Sequence, residues 1–305
     1  MTKRNEVPKD RTKSDHPILV AFFLAPAFIF TIVFIAYPAI MSAYYSLYEW
    51  RGISEARTFV GLENWQQLFS DSIIWDCIVH NLALAAVAVF IEIPLAFAIA
   101  ILLARTKVLG RKLYRTAYFF PVVLSVTVVG LLWSWVYNPQ YGLLNAGLRA
   151  IGLDQLAKPW LGDTNLVLPA VLLVSIWRFS GFYLVVFTAA LESVPQDIYD
   201  VASLDGTKLW QLGLYVLLPM LRDVIVVAIA IAITNSIKRF DLMYVMTMGG
   251  PVHASELLAT YMYKNAFLSF DMGYASTIAF FLFALTLALV VTQMQTTKRD
   301  EAIEF

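Results

Sequence analysis

Two groups of residues in this chain of 305 have the types and spacing to do chemistry. The first is a polar cluster closing an apolar run: Thr234, Asn235, Ser236, Lys238, Arg239 and Asp241, interleaved with Phe240 and followed by Tyr244. Amides and charges of this kind make paired hydrogen bonds to a polar solute, and flat rings give it a platform. At helical spacing Thr234, Lys238 and Asp241 share one face, as do Asn235 and Arg239. Arg178, beside Trp177 and Ser180-Gly181 in another apolar run, is a further candidate. Polar residues in such runs face a cavity or a partner helix. The alternative is an internal ion-pair network, Arg178 or Lys238 with Asp241, holding helices together. Glu92, next to Pro94, reads as a structural partner or kink neighbour.

The second group is the segment Tyr199-Asp200-Val201-Ala202-Ser203-Leu204-Asp205-Gly206, followed by Leu218-Pro219. It alternates polar and apolar residues between two apolar runs. Ser193 and Gln196 have capping-box spacing, with Pro195 in the first turn. Asp197 and Asp200 suit the positive end of the helix that follows. Its expected apolar side is Ile198, Val201, Ala202 and Leu204. Asp205-Gly206 is a turn signal. Thr207 can cap a second short helix bearing Leu209, Trp210, Leu212 and Leu214, and Pro219 marks the start of the next span. Two readings stand on these residues alone: an interfacial helix lying on lipid headgroups, or a docking site for another protein.

Catalytic chemistry has no such signature. No Gly-x4-Gly-Lys-Ser/Thr phosphate loop, Gly-x-Ser-x-Gly elbow or His-Glu-x-x-His helix occurs in the sequence. Cys77 is the single cysteine, so an intrachain disulfide is excluded, and His16, His80 and His253 are scattered.

The elements that carry these residues are set by composition. The chain is 60% hydrophobic and 14% charged, with mean hydropathy +0.70, far from a soluble domain. A spanning helix needs roughly 20 apolar residues. Six stretches qualify: Ile18–Ile40, Leu82–Ala104, Ala117–Tyr137, Leu166–Leu191, Pro219–Ile237 and Tyr274–Met294. Helices satisfy their own backbone in lipid, so the expected fold is all-α, a polytopic bundle of six spans. Basic residues cluster before the first span (Lys3, Arg4, Lys9, Arg11, Lys13), after the second (Arg105, Lys107, Arg111, Lys112, Arg115) and after the last (Lys298, Arg299). The positive-inside rule then puts both termini and the segment 192–218 on the cytoplasmic side. The first span is too long for a signal peptide and reads as a retained helix. The expected divisions are a tail 1–17, a membrane domain 18–295 and a tail 296–305.

Asp200-Val201-Ala202-x-x-Asp205-Gly206, with Pro219 beyond it, resembles the "EAA" loop of permease subunits of bacterial ABC importers. That pattern runs Glu-Ala-Ala, three residues, Gly, then Ile-x-Leu-Pro. Here Asp200 stands for Glu, Val201 for the first Ala, and Gly213 lies where an aromatic is common. The rest of the chain is similar, in order, to carbohydrate-type permeases. Phe59-Val60-Gly61-Leu62-Glu63-Asn64-Trp65, Arg115-Thr116 with Phe120-Pro121, and Tyr141-Gly142-Leu143-Leu144-Asn145 carry the resemblance. So do Phe240-Asp241-x-x-Tyr244, Thr247-x-Gly249-Gly250-Pro251, and Phe267 with Gly273-Tyr274-Ala275-Ser276.

The resemblance implies a subunit of a bacterial or archaeal cytoplasmic membrane importer for a sugar, oligosaccharide, polyol or glycerol-phosphate. Its partners would be a second similar permease, two ATPase subunits, an extracytoplasmic solute-binding protein and the lipid bilayer, with no nucleic acid. The chain itself would hold no cofactor, ATP and magnesium being bound by the ATPases. It would be no enzyme. Asp200, Ala202, Asp205, Gly206, Thr207 and Pro219 would serve coupling to the ATPase. Arg178, Asn235, Lys238, Phe240, Asp241 and Tyr244 would line the solute path. Two rivals are an ion-coupled secondary transporter, which calls for mid-span acids or repeated broken helices, and a non-transporting scaffold, which leaves the polar cluster without a purpose.

The charge asymmetry generates a test. A cysteine placed at Lys208 on a Cys77→Ser background is expected to resist impermeant thiol reagents in intact cells and to react after lysis. Labelling from outside intact cells would overturn the orientation.

Overall fold

A computed structural model describes residues 17–53, 56–105 and 110–301. The remaining residues, which include 1–16, 302–305 and Lys107, lie outside the described residues. Among the described residues, four helices are long and apolar enough to cross a membrane: α1 (Val20–Tyr45), α3 (Ser72–Ala104), α7 (Val167–Glu192) and α13 (Met272–Gln293). A two-residue ladder, β1 (Tyr48–Glu49) against β2 (Thr58–Phe59), and the short helix α2 (Glu63–Ser70) join α1 to α3. The all-α expectation holds apart from that ladder.

The two other expected spans are not single helices. The third is α4 (Leu113–Val123) and α5 (Val126–Val136), bent by 99° at a break over Leu124-Ser125. The fifth is α10 (Arg222–Ile237), preceded by α9 (Leu209–Met220) at 82°. The intervening helices are α6 (Leu143–Ala150) before α7, and α8 (Gln196–Leu204) between α7 and α9. After α10 come α11 (Asp241–Thr247) and α12 (Leu258–Phe267). The sequence places Pro219 at the start of a span, but the bend falls at Leu221, where the helical dihedrals fail. The second span begins ten residues earlier than hydropathy suggests, because Asp76, His80 and Asn81 mask it in a hydropathy window; of these, His80 and Asn81 find partners in the fold.

Proline explains three local irregularities. π-turns occupy Ile32–Ala36, Ala88–Glu92 and Leu212–Leu217, and each ends two residues before Pro38, Pro94 or Pro219. A proline removes one N–H and crowds the carbonyl four residues back. Widening the preceding turn relieves that clash without ending the helix.

Polar side chains tie the bundle together where hydrocarbon contacts cannot specify register. Asn81 on α3 is fully buried; its amide donates to the carbonyls of Ser236 (3.0 Å) and Ile237 (3.1 Å), and its oxygen accepts from the Leu258 N–H (3.0 Å). One side chain thus caps the end of α10 and the start of α12. Asp71 caps α3 by accepting from the Ile73 N–H (2.9 Å) and takes the hydroxyls of Tyr261 and Tyr274, both at 2.8 Å. Burial and the neighbouring Asp71 carboxylate push the Tyr261 hydroxyl up, so it remains a donor.

Three buried clusters fill the space between helices. Near the 192–221 segment, Ala96, Phe97, Ala100 and Leu103 of α3 meet Leu184, Phe187 and Leu191 of α7 together with Tyr199, Ala202, Leu212 and Leu217. At the far end, Leu84, Val129, Val171, Val174, Met243 and Leu257 form a second cluster. Leu68, Ile74, Cys77, Tyr274 and Ile278 form a third. The ends of the long helices follow from their contacts. Trp50, just after α1, accepts from the N–H groups of Met272 (2.9 Å) and Gly273 (3.2 Å) at the start of α13. Gln293 near the end of α13 donates to the Val226 carbonyl (2.8 Å), close to the 192–221 segment. The start of α1 and the end of α13 therefore lie at the same end of the bundle as that segment. One helix stands apart: α1 packs on α13 mainly through Tyr37–Tyr45, and side chains in its first half such as Phe22 and Phe30 are exposed.

Truncating Asn81 tests this joint. Asn81→Ala leaves two carbonyls and an N–H unsatisfied in a dry interior, at about 1–3 kcal/mol for each group so stranded. A clear drop in thermal unfolding temperature in detergent is expected, against little change for the exposed Asn235→Ala.

Candidate functional site

The 192–221 segment is two short helices joined by a tight turn. Pro195 is the N-cap of α8 rather than a first-turn residue. No Ser193–Gln196 capping box forms: Ser193 closes α7 instead, its hydroxyl donating to the Ala190 carbonyl (2.7 Å), and Gln196 donates to Asp200 Oδ1 (2.8 Å). The bond to Gln196 spans one turn of α8 and leaves the Asp200 carboxylate at the surface.

The turn after α8 is a Schellman motif. Gly206 N–H reaches the Ser203 carbonyl (3.2 Å) and Thr207 N–H the Ala202 carbonyl (3.0 Å). This geometry requires a left-handed residue, and Gly206 has φ +66°. A Cβ there would meet nothing within 4 Å of this chain. The turn is therefore set by backbone conformation, while the space around it is free for a partner. Thr207 does not cap the second helix as the sequence suggests. Lys208 is the N-cap, and its N–H is received by Gln211 Oε1 (2.9 Å).

The apolar side of α8 also differs from the sequence reading. Tyr199 and Ala202 are buried, Tyr199 donating its hydroxyl to the Leu191 carbonyl (3.0 Å), and Ile198 packs beside them. Val201 and Leu204 face outward, Leu204 being 88% exposed. On α9, Leu212 is buried while Trp210 and Leu214 are exposed. Asp200, Asp205, Gly206 and Pro219 are likewise at the surface. The segment is anchored through one side and presents apolar residues ringed by acids on the other.

The polar cluster lies at the opposite end of α10. The helix stops at Ile237, and α11 starts at Asp241, with Phe240 at φ −131° between them. Thr234, Lys238 and Asp241 therefore do not share the face of one helix, because no helix runs through 238–240. Asn235, Lys238 and Asp241 are exposed. Neither the Lys238–Asp241 pair nor the Arg178–Asp241 pair closes to an ion pair among the described residues.

Phe240 stacks on Tyr244 with centroids 4.9 Å apart, and Tyr263 of α12 sits 5.3 and 5.1 Å from the two rings. Phe267 continues this wall at 4.9 Å from Tyr263. The sequence had Phe240 and Tyr244 but not Tyr263. Its signal was only i,i+4 spacing to Phe267, which any helix core can show.

Arg178 is not part of this wall. It is buried and its Nη1 donates to the carbonyls of Pro121 and Leu124, both at 2.7 Å. Those carbonyls lose their helical partners where α4 breaks, so Arg178 is the cap of that break. Gly181, one turn along α7, lets α4 approach so closely that any Cβ would overlap the Tyr118 carbonyl. Arg239, by contrast, turns inward: its Nη1 donates to Ser175 Oγ, and its guanidinium carbon lies 4.1 Å from the Phe179 ring centroid.

One buried acid escaped the sequence reading. Glu256, before α12, is fully buried, pairs with Lys264, and receives Thr260 Oγ1 (2.7 Å) and His253 Nδ1 (2.9 Å). It fixes the connection 248–257 that follows Tyr244. No pattern marked it, since its partners come from both the irregular loop (His253) and the helix that follows (Thr260, Lys264).

A multi-span helical bundle with a rigid two-helix projection at one end and an aromatic, polar wall at the other has the layout of a membrane permease subunit. Residues 92–297 match the family of binding-protein-dependent transport system inner membrane components, and the chain belongs to it. Within it, this is a carbohydrate-type permease subunit of an ABC transporter. It is 35% identical over 92% of its length to the "Probable ABC transporter permease protein YurN" of Bacillus subtilis, covering 97% of that protein. It is 32% identical over 88% of its length to the diacetylchitobiose uptake system permease protein NgcF of Streptomyces coelicolor, covering 80% of that protein. A bacterial ABC transporter importing the polysaccharide alginate has the same fold, with TM-score 0.80 at 22% identity over 94% of this chain and 96% of that one. The secondary-transporter and scaffold readings fall with this assignment. ATP hydrolysis in such systems resides on a partner subunit.

Gly206 gives the sharpest test of the projection. A Cβ at a left-handed residue costs about 1–2 kcal/mol, which a protein of this size tolerates. Gly206→Val is expected to reach the membrane in near-normal amount yet lose ATPase copurification and transport by an order of magnitude. Full transport by this variant would remove any coupling role from the turn.

Proposed function

We propose that this chain forms half of the translocation path of an ATP-driven, binding-protein-dependent importer for a sugar, oligosaccharide or related polyol. In this reading it couples to a separate ATPase through residues 192–218. The observation that carries it is the projection α8–Gly206–α9: anchored by Tyr199, Ala202 and Leu212, turned by a left-handed glycine, and presenting Val201, Leu204 and Trp210 to the outside. An exposed apolar patch ringed by charge is the signature of a protein docking surface. Asp200 and Asp205 are placed to meet cationic or N–H groups of the ATPase.

The solute class follows from the opposite end. A sugar presents an apolar face to a ring and hydroxyls to bidentate polar groups. Phe240 and Tyr244 supply rings, with Asn235, Lys238 and Asp241 beside them. Diacetylchitobiose uptake by the relative NgcF supports the same class. Arg178 acts on this path indirectly, by holding the break of the third span.

A second permease is called for by α1. Twenty-six residues rise about 39 Å, yet none of the most apolar stretch of this helix is buried within the chain. A helix of that kind is completed by another bundle. Multi-pass insertion in a cytoplasmic membrane, with the start of α1, the end of α13 and the docking segment all on the cytoplasmic side, is consistent with the basic residues around them.

Expression with and without the proposed partners tests the assignment. The purified chain alone is expected to show no ATP turnover. Co-expression with a second permease and an ATPase is expected to yield a stable complex whose turnover rises with a loaded solute-binding protein. ATP hydrolysis by the isolated polypeptide, free of contaminants, would refute the reading.

A further inference from the structure

Between the docking segment and the polar wall lies a buried charge pair that neither of them absorbs. Glu92 closes the π-turn of α3 and is 1% exposed. Its Oε1 accepts the Ser175 hydroxyl of α7 at 2.7 Å, and the same oxygen of Ser175 accepts from Arg239 Nη1. A single hydroxyl therefore bridges a carboxylate and a guanidinium, and with them α3, α7 and the break after α10. Glu92 Oε2 is buried without a hydrogen-bond partner in the protein.

A buried pair of this kind is a poor source of stability. Desolvation of both charges offsets their attraction, and an apolar replacement of like size often stabilises. What it supplies is position. Glu92 lies two residues before Pro94 and just ahead of the stretch Ala96–Leu103, which shares one buried cluster with Tyr199, Ala202 and Leu212 of the docking segment. Arg239 lies in the non-helical break, flanked by Lys238, Phe240 and Asp241. Phe179, in contact with the Arg239 guanidinium, adjoins Arg178, the cap of the third-span break. The unfilled Glu92 oxygen gives Arg239 a second place to bond if the break shifts.

We propose that the Glu92–Ser175–Arg239 relay is a positioning latch through which movement of the docking segment is transmitted to the 238–240 break. The proposal rests on the importer reading above. In it Glu92 and Ser175 need not touch solute; they set where Arg239, and with it the Lys238–Asp241 corner, sits in each state of the cycle. Glu92→Gln keeps the shape and removes the charge. Ser175→Ala keeps both charges and removes the bridge.

The test uses the assembled transporter in lipid nanodiscs, with MgATP and vanadate as the probe. Spin labels at Lys208→Cys and Val252→Cys, on a Cys77→Ser background, report the distance between the docking segment and the exposed loop beyond the break. The parent complex is expected to change that distance on trapping. Glu92→Gln and Ser175→Ala are expected to retain ATPase copurification and lose at least half of the change. An undiminished change in both variants overturns the latch. So does loss of assembly in both, which is what a purely structural role produces, or an unresponsive parent that still holds its ATPase. A parent that never copurifies an ATPase overturns the importer reading instead, and the latch with it.

Discussion

A backbone group that loses its helical partner inside an apolar bundle must find another, and most of this architecture follows from how that demand is met. The chain interrupts its helices repeatedly. Two of these interruptions, the break after α4 and the end of α10, are answered by a long polar side chain from a neighbouring helix. Arg178 takes the Pro121 and Leu124 carbonyls, and Asn81 takes those of Ser236 and Ile237. These joints do what hydrocarbon packing cannot, because apolar side chains slide past one another with little penalty. Register between helices is thus written in a handful of amides and guanidinium groups.

The same demand explains why intramembrane polar residues were ambiguous in the sequence. Arg178, Lys238, Arg239 and Asp241 are alike as sequence signals: costly in lipid and so in need of a reason. The fold gives them different ones. Arg178 serves the backbone, Arg239 a serine and a buried acid, while Lys238 and Asp241 remain at the surface of the isolated chain. Which reason applies depends on where α4 and α10 stop. Helix ends inside apolar runs carry only faint local marks, here Pro121 and the dihedrals around Phe240.

Other features were legible because their cause is local. Hydropathy located α1, α7 and α13 to within a few residues, since length and composition alone decide a straight span. Asp205-Gly206 announced a turn, and the left-handed glycine is there. Pro94 was read as a kink site, and a π-turn ends two residues before it. The misjudged points were those decided by tertiary contacts. Ser193 was drawn to the end of α7 instead of the start of α8. Val201 and Leu204 turned outward because Tyr199 filled the inner side. Glu256 was invisible because its site is assembled where the loop before it folds back onto α12, a path the sequence does not state.

The Schellman turn also bears on the thermodynamics of recognition. Its hydrogen bonds lie wholly within the segment, and its anchors Tyr199, Ala202 and Leu212 belong to the core of the chain itself. The surface therefore exists before any partner arrives. A segment that folds on contact must surrender conformational entropy to the complex, at about 1–2 kcal/mol for each backbone residue ordered. Here that loss occurs during folding of the chain and does not weigh on association. For the docking proposed above, a modest contact area then suffices for firm attachment, and discrimination among partners rests on the chemistry of the few protruding side chains. Exchanging Leu204, Trp210 and the flanking acids between related proteins becomes a rational way to redirect attachment while leaving the scaffold untouched.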